Sequence, residues 1–224
     1  MRFQVLWCAT RNPGVTAKEA GPVTEWCPVA ERDAVAKGPV RVELADDDIV
    51  VFKTATGAPA ALQAHCPHRG MLLSCGTVHD DVITCPYHGW SFDRYGRGTN
   101  AAGQDRGQCA VSYDTHEAFG LVWVKSAGAP ADFPQLCPTG LEHLHTRFDV
   151  APETAGPPAV GPVGRIGRLF AIRPARLHQI AYVLPLANGR SAVAAIYFGH
   201  IPDMRIPLVG SIVRWALRRL PFEE

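Results

Sequence analysis

Residues 65–98 decide the fold, and they read HCPHRGMLLSCGTVHDDVITCPYHGWSFDRYGRG. Two cysteine–histidine pairs stand in this stretch: Cys66 lies two residues before His68, and Cys85 lies three residues before His88. Each pair falls in a loop marked by proline and glycine, and a short apolar run before the second pair predicts a strand leading into it. Thiolate and imidazole side chains in such pairs are typical ligands of zinc and of iron–sulfur clusters. The stretch therefore predicts a metal centre held between two loops.

The spacing and flanking residues of these pairs resemble the metal-binding loops of the Rieske [2Fe–2S] domain, in the form found in ring-hydroxylating and related Rieske non-heme iron oxygenases. The resemblance covers residues 25–126. It implies a Rieske-type [2Fe–2S] cluster in which Cys66 and Cys85 bind one iron and His68 and His88 bind the other. Because neutral imidazoles replace two thiolates, such a cluster has a reduction potential of about −150 to +300 mV.

Two features of the loops bear on the subtype. Respiratory-chain Rieske proteins carry an extra cysteine in each loop, and these two form a disulfide; the matching positions here are Met71 and Tyr87. The lack of that pair implies the oxygenase type and fits a reducing cytoplasm. Residues 89–92, Gly-Trp-Ser-Phe, are also similar to oxygenase sequences. A structural zinc site stays open as an alternative, although Cys-x-His is an unusual spacing for structural zinc.

The fold class predicted is mostly β. Residues 40–44 alternate apolar and polar side chains, three aspartates follow at 46–48, and 49–52 are apolar, which together predict a β-hairpin. The chain also has 19 prolines and 21 glycines, as expected of short strands joined by turns. Further short strands are predicted at 60–64, 82–84 and 120–124. We therefore expect an antiparallel Rieske-type domain followed by a small α+β part.

Four segments are expected along the chain: a lead-in at 1–24, the Rieske domain at 25–126, a Pro/Gly-rich connection at 127–165, and a last part at 166–224. The last part resembles the closing section of an oxygenase-type catalytic domain, shortened to a remnant.

Within that last part, strands are predicted at 177–184 and 192–199, joined through Asn188-Gly189, a strong hairpin signal. Residues 208–220 carry an apolar stripe beside three arginines, which predicts an amphipathic helix. The helix packs on the preceding hairpin or presents a basic surface to a membrane or partner.

A mononuclear iron site is doubtful. Complete Rieske oxygenases hold this iron with two histidines and a carboxylate, in the pattern Asp/Glu-x-x-His-x4-His, and none of the nine histidines fits that pattern. A remnant site is conceivable from His143, His145 and either Glu142 or Asp149. An ordinary surface helix or loop accounts for these residues equally well.

Composition narrows the function classes. A net charge of +1 disfavours a general nucleic-acid binder, and the longest apolar run, 192–198, is too short for a membrane-spanning helix. Seven cysteines favour metal or catalytic use over a disulfide framework, and the N-terminus makes a poor signal peptide, so we expect a cytoplasmic protein.

Two functions stay open. The first is an oxygenase component that relays electrons from a ferredoxin or flavin-dependent reductase toward O2-dependent oxidation of an organic substrate, working with another oxygenase subunit or as a homo-oligomer. The second is a non-catalytic electron carrier, or a degenerate oxygenase relative without the mononuclear iron. The resemblance identifies no substrate, because the substrate pocket belongs to the catalytic domain.

Overall fold

The computed structural model describes residues 23–44, 47–137, 139–151, 162–169, 175–185, 191–200 and Trp215. The chain divides into two compact units, the first ending at Phe133 and the second beginning at Pro134. Both are built from antiparallel strands, and the predicted mostly β class is confirmed. No helix among these residues is long and apolar enough to cross a membrane.

The first unit contains a six-stranded antiparallel sheet. Its strands are β1 (Cys27–Glu31), β2 (Val40–Leu44), β3 (Asp47–Lys53), β4 (Pro59–Gln63), β10 (Ser112–Ala118) and β11 (Leu121–Ser126). They lie in the order β1-β11-β10-β4-β3-β2, and a one-turn helix, α1 (Arg32–Val35), follows β1. The predicted hairpin is confirmed, because β2 pairs with β3 from Val40 opposite Val51 to Leu44 opposite Asp47.

A smaller sheet of the same unit carries the predicted metal-binding loops. It is a five-stranded meander in sequence order: β5 (Thr77–His79), β6 (Val82–Thr84), β7 (Ser91–Asp93), β8 (Arg97–Thr99) and β9 (Asp105–Cys109). Loop 1 (residues 66–71) follows β4 and leads into a short 3-10 helix, Leu73–Cys75. Loop 2 (residues 85–90) joins β6 to β7.

One apolar core connects both sheets to the loops. Its largest fully buried side chains are those of Phe52, Leu62, Leu73, Ile83 and Phe92. Burying side chains of this size stabilises the fold by about 1.5–3 kcal/mol each. The same core includes both cysteines of the predicted metal centre, so the folded core itself brings the two loops together.

Aromatic rings hold the chain where it leaves β11. The ring of Phe133 lies 5.6 Å from that of Trp26, 4.2 Å from that of His116 and 5.2 Å from that of Trp123, measured between ring centroids. The indole nitrogen of Trp26 also donates to the carbonyl of Ala131, at 3.1 Å. Residues 131–133 are therefore packed on the six-stranded sheet.

The second unit is a four-stranded antiparallel sheet in the order β12-β15-β14-β13. Its strands are β12 (Glu142–Ala151), β13 (Pro162–Leu169), β14 (Ala175–Pro185) and β15 (Ser191–His200). The predicted C-terminal hairpin is confirmed, since β14 pairs with β15 from Leu177 opposite Gly199 to Leu184 opposite Ala192. Its Asn188-Gly189 turn lies outside the described residues.

The structure differs from expectation at residues 127–165, predicted as an irregular connection, because β12 and part of β13 lie in this segment. The sequence of β12 interrupts its apolar residues with histidines and an arginine, which hides the strand period. The strand exists because it pairs along its length with β15, whose side chains are largely buried, so a distant partner overrides the local pattern. Of the predicted helix 208–220, only Trp215 is described; it is helical and exposed.

Candidate metal centre

Loop 1 is closed by two backbone hydrogen bonds. The N–H of Cys66 donates to the carbonyl of Met71 at 2.8 Å, and the N–H of Gly70 donates back to the carbonyl of Cys66 at 2.8 Å. Gly70 has φ 72°, in the left-handed region that glycine enters without steric cost. The result is a tight turn whose interior faces the Cys66 side chain.

Loop 2 repeats this backbone. The N–H of Cys85 donates to the carbonyl of Trp90 at 2.7 Å, the N–H of Gly89 donates to the carbonyl of Cys85 at 3.1 Å, and Gly89 has φ 69°. Both loops therefore share the sequence Cys-Pro-x-x-Gly and the same fold. The histidine is the third residue of loop 1 but the fourth residue of loop 2.

The two cysteines lie together at the buried side of the site. Cys66 is 3% exposed and Cys85 is 2% exposed, and their thiols are in hydrogen-bonding contact. Burial, opposed by the backbone N–H groups of His68 and Arg69 that donate to the sulfur, raises the pKa of the Cys66 thiol to about 11. Metal ions bind thiolates, so loading this site releases protons.

The two histidines lie together at the outer side. Their rings meet edge to face with centroids 4.8 Å apart. Nδ1 of His68 is buried and has no hydrogen-bond partner within the described part of the chain. The ring of His88 is exposed, and desolvation together with the positive charges of His68 and Arg69 lowers its pKa. A lowered pKa keeps the imidazole neutral, which is the form that binds a metal.

Two further aromatic rings frame the histidines. Tyr87, which occupies in loop 2 the position of His68 in loop 1, lies 3.8 Å from His88 between ring centroids and is 60% exposed. Trp90 lies 5.6 Å from the ring of His68 and stacks on Phe92 in the core. One side of the histidine pair is thus anchored to the core, and the other side faces the surface.

Part of the chain matches a known family. The model of the Rieske [2Fe–2S] domain matches residues 25–116, which include both loops. This stretch of the chain is a Rieske [2Fe–2S] domain. The family match resolves the choice that the sequence left open between zinc and an iron–sulfur cluster, in favour of the cluster.

Several curated proteins similar to this chain are named as oxygenase subunits. The chain is 32% identical over 126 residues to the vanillate O-demethylase oxygenase subunit of Pseudomonas sp. (strain HR199 / DSM 7063), covering 55% of this chain and 34% of that protein. It is 29% identical over 135 residues to the phthalate 4,5-dioxygenase oxygenase subunit of Pseudomonas putida, covering 56% and 31%. The matched part therefore spans about a third of the length of these relatives.

The fold is also similar to solved structures. NdmA of Pseudomonas putida CBB5 aligns with a TM-score of 0.63 over 89% of this chain and 83% of that chain, at 18% identity. The likeness is one of fold, and it extends over more of the chain than the Rieske domain alone.

The residues of the Rieske loops fit a [2Fe–2S] cluster. Two buried thiols on one side and two imidazoles on the other could supply a pair of ligands for each of two irons, and Nδ1 of His68, which has no hydrogen-bond partner among the described residues, would be available as a donor atom. Among the described residues, no three such donors converge on the position of one metal ion. A two-iron cluster needs only a pair at each iron.

The residues considered for a remnant mononuclear iron lie on β12, and those of their side chains that the structure describes form no metal-binding triad. Nε2 of His143 is 2.8 Å from Oγ1 of Thr146, and the ring of His145 stacks on that of Tyr197, with an irregularity in the strand between the two histidines. Glu142 is exposed, and the side chain of Asp149 lies outside the described part. The remnant iron site stays a prediction.

Two residues at the site have roles that sequence reasoning did not assign. These are Asp48 and His65, whose side chains approach to 2.9 Å, between Oδ2 and Nε2, at the base of loop 1. No local sequence pattern predicts this contact, because the two residues are far apart in sequence and meet through the pairing of β3 with β4.

Proposed function

We propose that this protein is an oxygenase-type Rieske redox component in which Cys66 and Cys85 hold the inner iron of the cluster and His68 and His88 hold the outer iron. The observation that carries the proposal is the arrangement of the donors, with both thiols buried and the ring of His88 exposed. The bound cluster would accept and release one electron at a time.

The chain's own residues would direct that electron. The cysteines are enclosed by the apolar core. His88, in contrast, reaches the surface beside the exposed side chains of Tyr87 and Arg69. A redox partner therefore comes closest to the cluster at His88. The lowered pKa of His88 keeps its ring available to the iron rather than to a proton.

The relatives support the reaction class. Their names describe oxygenase subunits that demethylate or dioxygenate small organic compounds. By this analogy, a ferredoxin or flavin-dependent reductase would supply electrons, and they would serve the O2-dependent oxidation of an organic substrate. The acceptor would be a mononuclear iron in a neighbouring copy or in another oxygenase subunit. None of the six described cysteines forms a disulfide, a state that the proposed cytoplasmic location would maintain.

The second unit supports the idea of a catalytic-domain remnant at 166–224, since its sheet falls within the fold likeness to NdmA. The competing function is a non-catalytic electron carrier or a degenerate oxygenase relative. What favours it is the missing Asp/Glu-x-x-His-x4-His pattern in the sequence. The two functions share the cluster and differ in whether this chain holds a further iron.

The first test is the iron and acid-labile sulfide content of anaerobically purified protein, with an electron paramagnetic resonance (EPR) spectrum after dithionite reduction. We expect two irons and two sulfides per chain and a Rieske-type signal. The C85S variant should lose both, whereas C75S, which changes an exposed cysteine, should keep them. Zinc without sulfide, or a Rieske signal that survives in C85S, would contradict the ligand assignment.

The same preparation separates the two functions. A third iron per chain, with O2 uptake when a reductase and an aromatic acid are supplied, supports an oxygenase complete in this chain. Two irons and reversible one-electron reduction without O2 uptake support the carrier, or an oxygenase that needs another subunit.

A further inference from the structure

The imidazole of His65 ties loop 1 to the neighbouring sheet. Its Nδ1 lies 3.0 Å from the carbonyl oxygen of Gly70, and its Nε2 lies 2.9 Å from Oδ2 of Asp48. A backbone carbonyl and a carboxylate accept hydrogen bonds and do not donate them. One ring nitrogen therefore contacts loop 1 and the other contacts β3.

Asp48 is itself held in place. Its carboxylate accepts hydrogen bonds from Nε and Nη2 of Arg41 on the adjacent strand β2, at 2.8 Å each. A bidentate arginine pair of this kind fixes the orientation of a carboxylate as well as its position. A continuous chain of contacts thus runs from Arg41 through Asp48 and His65 to the Gly70 carbonyl.

The base of loop 2 is linked differently. There Oγ1 of Thr84 and Oγ of Ser91 are 2.8 Å apart and join the ends of β6 and β7 directly. Thr84 precedes Cys85 as His65 precedes Cys66. Each loop therefore has a side-chain link that starts from the residue before its cysteine, but only loop 1 is tied to a strand of the six-stranded sheet by that link.

The shape of loop 1 matters for the cluster because its backbone faces a ligand sulfur. The N–H groups of His68 and Arg69 donate to the sulfur of Cys66. Hydrogen bonds to a cluster's sulfurs stabilise the extra negative charge of the reduced state, and they are among the factors that set its potential. The two N–H groups lie between Cys66 and Gly70, and His65 holds the carbonyl of Gly70, the residue whose own N–H closes the turn that aims them.

We propose that His65, oriented by Asp48, is a positioning residue that fixes loop 1 and thereby raises the reduction potential of the cluster and slows its loss. This inference rests on the ligand assignment proposed above.

The test uses the full chain, purified anaerobically with its cluster, in the variants H65A, H65N and D48N. H79A is the matched control, because His79 is another exposed histidine of the same unit and lies at the end of β5. The readouts are the reduction potential and the EPR g values at one fixed pH, together with the rate at which an iron chelator removes the cluster.

We expect H65A to have a lower potential, shifted g values and about tenfold faster cluster loss, the factor expected when a charge-assisted hydrogen bond is removed. D48N should shift the potential in the same direction. H65N should lie nearer the wild type, since its amide nitrogen keeps a donor near the position of Nδ1. H79A should match the wild type.

A wild-type potential and g values in H65A would overturn the positioning role, and so would an equal shift in H79A. If H65A does not accumulate as folded protein, D48N decides, because it only replaces one oxygen atom of a partly exposed carboxylate by an NH2 group; an unchanged potential in D48N overturns the proposal. Failure of the proposed function looks different: the wild-type protein itself would then lack two irons and two sulfides.

Discussion

At the scale of single residues, the first unit holds its cysteines in contrasting surroundings. Cys75 is exposed on the short 3-10 helix after loop 1, whereas Cys27 is buried at the start of β1. Burial, with a smaller contribution from the negative charge of Glu25, raises the pKa of the Cys27 thiol to about 11. Only the thiolate reacts with alkylating reagents, so the burial of Cys27 and its raised pKa both lower its reactivity.

We predict that iodoacetamide modifies Cys75 in the folded protein at pH 8 while Cys27 stays unmodified. With a pKa of about 11, only about one Cys27 thiol in a thousand is ionised at pH 8, and the ionised fraction rises roughly tenfold per pH unit from there. Peptide mass spectrometry after timed quenching measures both sites. Similar rates for the two cysteines at pH 8 would contradict the burial of Cys27.

At the scale of elements, the turn between β7 and β8 is fixed by one glycine. Gly96 has φ 81°, and its carbonyl accepts a 2.8 Å hydrogen bond from the N–H of Ala110. A Cβ at this position would lie 2.0 Å from the carbonyl oxygen of Ala110, which no side-chain rotation relieves. Gly103, in the next turn of the same sheet, has φ 74° but no atom within 4 Å of such a Cβ.

These two glycines form a matched pair for a stability measurement. G103A should lower the free energy of unfolding by about 1–2 kcal/mol, the cost of a left-handed backbone for a residue with a Cβ. G96A should lower it by clearly more, because it adds a backbone clash to the same conformational cost. Urea unfolding followed by tryptophan fluorescence gives both values. If the two variants are equally stable, the close approach of Gly96 to Ala110 is wrong.

At the scale of the whole molecule, a half-buried phenol makes stability depend on alkaline pH. Tyr113 on β10 contacts Asp47, the buried first residue of β3, and its pKa is raised by burial and by the charge of Asp47. A raised pKa in the folded state means that folding holds the phenol proton. This contribution is fully present below the unfolded pKa of about 10 and is lost as the pH rises above it.

We therefore predict that the unfolding midpoint of the wild type falls between pH 10 and 11 more steeply than that of Y113F. Y113F should be less stable at pH 7, because it loses the hydrogen bond to Asp47, yet its midpoint should change less with alkaline pH. Y95F is the control, since Tyr95 is 45% exposed. An identical alkaline slope in Y113F and wild type would contradict this origin of the pH dependence.

How much of the structure the sequence predicts depends on how far apart the interacting residues are along the chain. The hairpin at 40–52 and the strands of the C-terminal hairpin were predicted, because alternation and turn residues are local signals. The Cys-Pro-x-x-Gly loops were likewise visible as motifs. Strand β12 was not, since its stability depends on β15, about 50 residues later. The Asp48–His65 and Asp47–Tyr113 contacts were also missed, because only strand pairing brings those residues together.

The ring of Phe133 against Trp26, His116 and Trp123 has a practical meaning for anyone who wishes to express the Rieske part separately. A fragment that stops at residue 126, where the last strand of the sheet ends, would expose the rings of Trp26 and Trp123 to water. It would also lose the carbonyl that accepts the hydrogen bond of the Trp26 indole. A fragment that continues through residue 133 keeps the Phe133 ring that packs on these tryptophans. The seven residues after the last strand thus decide whether such a fragment covers this apolar surface or exposes it as an aggregation-prone patch.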